Sequence, residues 1–294
     1  MRTQETAIGD GYLTLDNFKR FIDMNPFVKE IETSFSGEIF LNPQLADIIK
    51  YAHERGVTLS AQGGVNMNYA TDEALEAMVT HKFKEVIVSI DGSSQEAYSW
   101  YRQNGDFDKV ISNLKKLLEF KKKHNSEFPH VEWKYIILES TQGLDEIRRA
   151  KRMAEDLGIR IWFHKDFTGW VPDDPVAVEQ ETGLKYTGTY AFSNNWKDGN
   201  SCYNLWYSPQ INWDGRFFGC WSNPKFPFGP NVFEVGLETV LKSKEMRQVK
   251  DMLFGKGVCN VSQCHICPMF HEMQNRNDFL TENDVVRVAE KYGY

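Results

Sequence analysis

Residues 85–92 read EVIVSIDG: an apolar run from Val86 to Ile90, broken only by Ser89, that stops at Asp91 and Gly92. A short, nearly continuous β-branched run of this kind reads as a strand buried on both faces, as in a parallel sheet. The polar residue and glycine that follow place a turn at its C-terminal end, where open α/β sheets bind their ligands. Upstream, Val57–Ala61 reads as another strand, with the helical run Thr71–Lys82 between the two. Before these lie the amphipathic helix Pro43–Arg55, opened by its proline and stopped by Gly56, and the strand Val28–Ser34. Residues Thr14–Met24 carry apolar side chains at helical spacing, with Asp16 near their start. Downstream come a helix over Phe107–Lys123 with a basic C-terminal end, a strand over Val131–Leu138, a helix over Leu144–Leu157 ended by Gly158, and a last strand over Ile159–His164.

Strands alternating with helices in this way predict a parallel sheet wound by right-handed crossovers. The order opens on a helix, whereas a βα unit opens on its strand. The expected fold is therefore α/β, a partial open (β/α) barrel lacking its first strand. From Gly169 the pattern changes. Residues 169–201 are rich in Pro, Gly, Asn and Asp and show no steady period, so they read as a long connector. Its aromatics, Trp170, Tyr186, Tyr190, Phe192 and Trp196, argue that it packs on something. A hairpin around Trp213–Gly219, a helix over Leu237–Leu253, a cysteine loop and a terminal helix from about Asn283 complete the reading. The expected domains are 1–168, the connector 169–201, and a small cysteine-bearing domain over 202–294.

All five cysteines of the 294 residues fall in that last part: Cys202, Cys220, Cys259, Cys264 and Cys267. Cys264 and Cys267 form a C-x-x-C pair, and Cys202 and Cys220 bracket the turn Trp213-Asp214-Gly215. No positive stretch followed by an apolar one opens the sequence, so no secretory signal is read, and a reducing, cytoplasmic setting is expected. In that setting two thiolate pairs suit an iron–sulfur cluster or a four-cysteine zinc site, and the spacing leaves both open. A net charge of −7 argues against a nucleic-acid or anionic-membrane surface, and no apolar run is long enough to span a bilayer.

Several polar residues sit at predicted strand ends. Glu38, after Gly37, offers a carboxylate for an ammonium, or is an exposed loop acid. Ser89 and Asp91 offer short oxygens suited to ribose hydroxyls, or are a small core residue and a helix cap. Arg102 offers a planar fork for a carboxylate, or pairs with a surface acid. His164, Lys165 and Asp166 close the last strand, and His164 or Asp166 could accept a proton from a substrate undergoing oxidation, or be structural.

In order along the chain, three patterns resemble one family. The run Ser36-Gly37-Glu38, Leu41-Asn42-Pro43, then Arg55-Gly56-Val57 is similar to the "GGEPLLNP" unit of the radical S-adenosylmethionine fold, with serine in place of its first glycine. Val88-Ser89-Ile90-Asp91-Gly92, Tyr101-Arg102 and Gly105-Asp106-Phe107-Asp108-Lys109-Val110 resemble its "SIDG…YR…GxFDKV". The cysteine arrangement resembles the SPASM or shorter twitch extension. The resemblance implies that Gly37, Glu38, Ser89, Asp91 and Arg102 bind S-adenosylmethionine, Glu38 through its amino group. It implies one auxiliary [4Fe–4S] cluster on Cys202, Cys220, Cys264 and Cys267, with Cys259 spare or exchangeable. It implies an oxidoreductase that uses a 5′-deoxyadenosyl radical on a peptide or sugar-like substrate, fed by a flavodoxin or ferredoxin.

The family's defining C-x-x-x-C-x-x-C is not among the 294 residues, which hold no cysteine before Cys202. Because Glu38, Ser89, Asp91 and Arg102 are all present, the expectation is a chain that starts downstream of that motif rather than a degenerate member. As it stands, such a chain should not cleave S-adenosylmethionine by the family route. The alternative is a non-catalytic binding or scaffold protein with a structural zinc or iron–sulfur site.

Overall fold

The computed structural model describes residues 8–166, 169–186, 201–221, 226–258, 260 and 263–292. The chain divides into two compact units, one of Val28–Thr189 and one of Met1–Phe27 together with Tyr190–Tyr294.

The first unit is built on one parallel sheet of five strands in sequence order: β1 (Glu30–Glu32), β2 (Thr58–Val65), β3 (Glu85–Ser89), β4 (His130–Ile137) and β5 (Arg160–Lys165). The registers divide its side chains into two unlike faces. On one face lie Leu59, Ala61, Val86, Val88, Trp133, Tyr135 and Ile137, all almost wholly buried. Against this side pack the helices Leu45–Glu54, which meets β2, and Leu144–Leu157, which meets β5. The opposite face carries Glu32, Ser60, Ser89, Lys134, Trp162 and His164 among a few apolar residues. EVIVSI is thus buried on both sides, as its sequence predicts: Val86 and Val88 lie on the apolar face, and Ile87 and Ser89, with half-buried Glu85, on the other. The alternation in β4, HVEWKYII, states the same division: Val131, Trp133, Tyr135 and Ile137 in, Glu132 and Lys134 on the polar side.

Some boundaries differ from the sequence reading for physical reasons. β1 is three residues rather than Val28–Ser34, because Glu32 turns its carboxylate back to accept from Ser34 N and Oγ, Ser60 Oγ and Gln62 N, ending the strand. Its two glutamates blunt the sheet edge, as charges on edge strands do. β2 runs on to Val65 through Gln62-Gly63-Gly64, with a register irregularity against β3 between Ala61 and Val65. The short helix Gln95–Tyr101, capped by Ser94, was not read from the sequence, nor was Pro175–Thr182, capped by Asp174 inside the expected connector.

The second unit joins the N-terminal helix Leu15–Met24 to the cysteine-bearing part. Phe21 meets Phe233 edge-on at 6.2 Å. Asn25, 1% exposed, donates from Nδ2 to Phe21 O at 2.7 Å, and its Oδ1 accepts from Leu237 N at 2.8 Å. The Ile8 carbonyl accepts from Asn212 Nδ2, Trp213 Nε1 and Arg216 Nη2 at 2.9–3.0 Å. The predicted hairpin is present as β6 (Gln210–Ile211) and β7 (Phe217–Gly219), antiparallel. The predicted helix Leu237–Leu253 is two, Leu237–Leu241 and Lys244–Leu253, because Ser243 caps the second by accepting from Met246 N. Among the described residues no helix is long and apolar enough to cross a membrane.

Candidate functional site

In the sheet unit, polar groups gather beyond the C-terminal ends of β1 to β4. Gly37 has φ +92°, a conformation costly for other residues, and turns the chain so that Glu38 follows β1. Glu38 begins the 3₁₀ turn Ile39–Leu41, its Oε1 accepting from Phe40 N at 3.1 Å and its Oε2 from Asn66 N at 2.6 Å. Burial raises its pKa above the ordinary value, and the two amides and the nearby Arg102 charge pull in the other direction.

Behind Glu38, Asn66 Oδ1 accepts from Asn68 N and Nδ2, Asn68 Nδ2 also donates to Tyr98 Oη at 2.9 Å, and Asn68 Oδ1 accepts from Asp106 N at 2.9 Å. This chain ties the turns after β1, β2 and β3 together. Tyr98 is fully buried, and burial raises its pKa.

Asp91 is also fully buried. Its Oδ1 accepts from Ile136 N at 2.9 Å, and its Oδ2 takes both Nε and Nη2 of Arg102 at 2.7 and 2.6 Å. Both carboxylate oxygens are therefore engaged, and Arg102 is held with one edge toward Asp91. Ser89, 4% exposed, lies beside Lys134 in register. Lys134 donates from Nζ to Gly63 O at 2.6 Å, and its pKa is lowered by burial, with Asp91 pulling it up and Arg102 down. The tips of Ser89 and Lys134 meet at Gly64, where a Cβ would stand 2.3 Å from Ser89 Oγ and 2.6 Å from Lys134 Nζ.

The structure thus brings Glu38, Asp91 and Arg102 into electrostatic contact and sets Ser89 beside them through Lys134. His164 lies on the polar face, its ring 5.4 Å from that of Trp162 and its Nδ1 3.1 Å from Lys165 O. Asp166 is near Tyr186, whose hydroxyl is pushed up to about 12, first by burial and then by that carboxylate, while Lys165 Nζ sits 5.2 Å from the Tyr186 ring. Asn66, Asn68, Tyr98, Lys134 and Trp162 were missed by the sequence reading. For Lys134 and Trp162 the signal was available as period-2 polarity in β4 and β5.

In the second unit Cys202 lies in the 3₁₀ turn Ser201–Tyr203 and Cys220 directly after β7, both buried. Gly219, at φ +74°, lets β7 pass between Leu205 and Phe228, where a Cβ would come within 2.6 Å and 2.8 Å. Cys264 lies in the turn Gln263–Ile266, whose carbonyl accepts from Cys267 N at 3.0 Å, and Cys267 caps the helix Pro268–Arg276. None of the four is in a disulfide.

The Cys202 thiol is held well above its usual pKa, first by burial and then by Cys220, Cys264 and Cys267. The four cysteines therefore share one electrostatic site. Thiolates in a dry site repel one another unless a cationic centre is shared between them, and this donor set suits an iron–sulfur centre. Among the described residues no three His, Cys, Asp or Glu side chains are drawn together as for a single metal ion. Cys259 lies outside the described residues.

Residues 202–268 match the SPASM family, an iron–sulfur cluster-binding domain, and both cysteine pairs fall inside the match. The fold is similar to that of SuiB from Streptococcus suis in its crystal structure, with a TM-score of 0.54 and 12% identity, over 78% of this chain and 59% of that one. The present chain thus spans less than two thirds of that structure's length. No curated protein matches the sequence. The α/β arrangement expected from the sequence, a parallel sheet followed by a cysteine-bearing part, is the one observed, and the second part holds the SPASM match.

Proposed function

We propose that this chain is the cosubstrate-binding and auxiliary-cluster part of a radical S-adenosylmethionine oxidoreductase. The observation that carries the reading is the pairing of unlike charges beyond β1 and β3. The Glu38 carboxylate and the Arg102 guanidinium feel each other's charge without forming an ion pair in the structure. An α-amino acid head fits such a pair, its ammonium on Glu38 and its carboxylate on Arg102. The methionine moiety of S-adenosylmethionine carries that head. Asp91 keeps Arg102 from swinging away, and Asn66 and Asn68 keep the Glu38 turn in place.

Cys202, Cys220, Cys264 and Cys267 would hold one [4Fe–4S] cluster, which supplies an electron acceptor or a substrate ligand when bound. In this reading the reductive cleavage that yields a 5′-deoxyadenosyl radical depends on a C-x-x-x-C-x-x-C segment that the 294 residues do not include. His164 and Asp166 remain the candidates to take a proton from a peptide or sugar-like substrate, with a flavodoxin or ferredoxin as electron source and the cytoplasm as the setting.

The test is calorimetry with S-adenosylmethionine on the chain after anaerobic loading with iron and sulfide. Binding that Glu38→Ala and Arg102→Ala each weaken supports the reading. Binding indifferent to both variants, or a chain that takes up one zinc and no iron, rejects it.

A further inference from the structure

We propose that Trp162 and Lys134 form the floor of a substrate subsite that receives a carbonyl-type oxygen, from an amide or a carboxylate. This rests on the proposed function, in which the methionine head occupies Glu38 and Arg102 and leaves the polar face of the sheet to a second ligand.

The two residues are direct partners in the register of β4 and β5, so their side chains project from the same face, and Ser89 of β3 continues the row. The Trp162 indole nitrogen is buried and has no hydrogen-bond partner among the described residues. A buried donor without an acceptor is costly, and native structures keep few of them. The His164 ring packs edge-on to the indole at 5.4 Å and helps fix its orientation. Lys134 has three N–H donors, of which Gly63 O takes one.

The chemistry of this row is one-sided. Trp162 and Lys134 can donate and cannot accept. The neighbouring carboxylates are already engaged, Asp91 by Ile136 N and Arg102, and Glu132 by Arg160. A hydroxyl placed here would find two donors for its oxygen, and for its proton only the Ser89 hydroxyl at the far end of the row. A carbonyl or carboxylate oxygen accepts two hydrogen bonds and donates none, which matches the indole and the ammonium together.

The experiment follows the Trp162 indole N–H signal in ¹⁵N-labelled full chain, identified by its loss in Trp162→Phe. N-acetylglycinamide, acetate, glycerol and S-adenosylmethionine are titrated separately. The expected result is a downfield shift of that signal with N-acetylglycinamide or acetate and none with glycerol. Whichever of the two shifts it at lower concentration identifies the amide or the carboxylate as the source. Lys134→Met should weaken the effective probe about tenfold, the loss of one hydrogen bond from a charged donor.

Silence of the signal toward both carbonyl probes would overturn the inference, as would a shift caused by S-adenosylmethionine alone, which would give the indole to the cosubstrate. If S-adenosylmethionine fails to bind while a carbonyl probe still moves the Trp162 signal, the proposed function falls and the subsite stands.

Discussion

Asp91 holds Arg102 by two nitrogens on a single carboxylate oxygen, at 2.7 and 2.6 Å, while its other oxygen is fixed by the Ile136 amide of β4. The acid is fully buried and the base is 26% exposed, so the pair is anchored at the sheet and reaches solvent at the guanidinium. The arginine is thereby oriented by the backbone of the neighbouring strand.

Asp91→Asn should destabilise the chain by about 3 kcal/mol, at the low end for a broken buried pair because Arg102 reaches solvent. Urea unfolding measures it. Arg102→Lys should recover little of what Arg102→Ala loses in S-adenosylmethionine affinity, since an ammonium cannot reproduce the fork that both grips Asp91 and faces a carboxylate.

Glu38 gives a pH signature. Its pKa in the folded chain lies above the ordinary value of 4.5, chiefly through burial. The folded state therefore binds this proton more tightly than the unfolded chain. The Glu38 contribution to stability is full below the unfolded value and is lost as pH rises through the raised folded value. Affinity for an ammonium-bearing ligand runs the other way and strengthens over the same window. Glu38→Gln should flatten both slopes, measured by unfolding and by calorimetry across a pH series; unchanged slopes would remove Glu38 from the site.

The cluster reading predicts about four irons and four sulfides per chain after anaerobic loading. Cys264→Ala and Cys220→Ala should each lower iron retention and bleach the brown absorbance. Full retention in either variant would show that the cysteine is not a ligand.

Gly64→Ala tests the crowding at the row of Ser89 and Lys134. The glycine has φ +109°, and its added Cβ would meet both tips. A loss of about 2–4 kcal/mol is expected, from backbone strain and collision together. Adding Ser89→Ala should recover only the part due to collision with Ser89, leaving the backbone strain and the contact with Lys134.

Much of the sheet was legible because EVIVSIDG, HVEWKYII and the glycine-stopped helices declare their periods locally. The two cysteine pairs were legible by spacing, and both fall within the SPASM match. What the sequence hid was contact between distant polar residues. Asn66 and Asn68 look like ordinary loop residues until the turns that Glu38, Tyr98 and Asp106 occupy are brought to them. Glu32 reads as one acid in a short strand, yet its reach to Ser60 and Gln62, across nearly thirty positions of sequence, ends that strand early. The helix Gln95–Tyr101 escaped because its aromatic residues blur the helical period.

The bonds from Ile8 to the hairpin and from Asn25 to Leu237 join residues 204 to 212 positions apart, with the whole sheet unit between them in sequence. On a growing chain, residues 8–25 emerge before the sheet unit and wait for partners made after it. The intervening unit has its partners close behind it and can close early, whereas the cysteine-bearing unit cannot finish until residues beyond that unit have been made. Its thiols would then be gathered after the sheet has already taken shape.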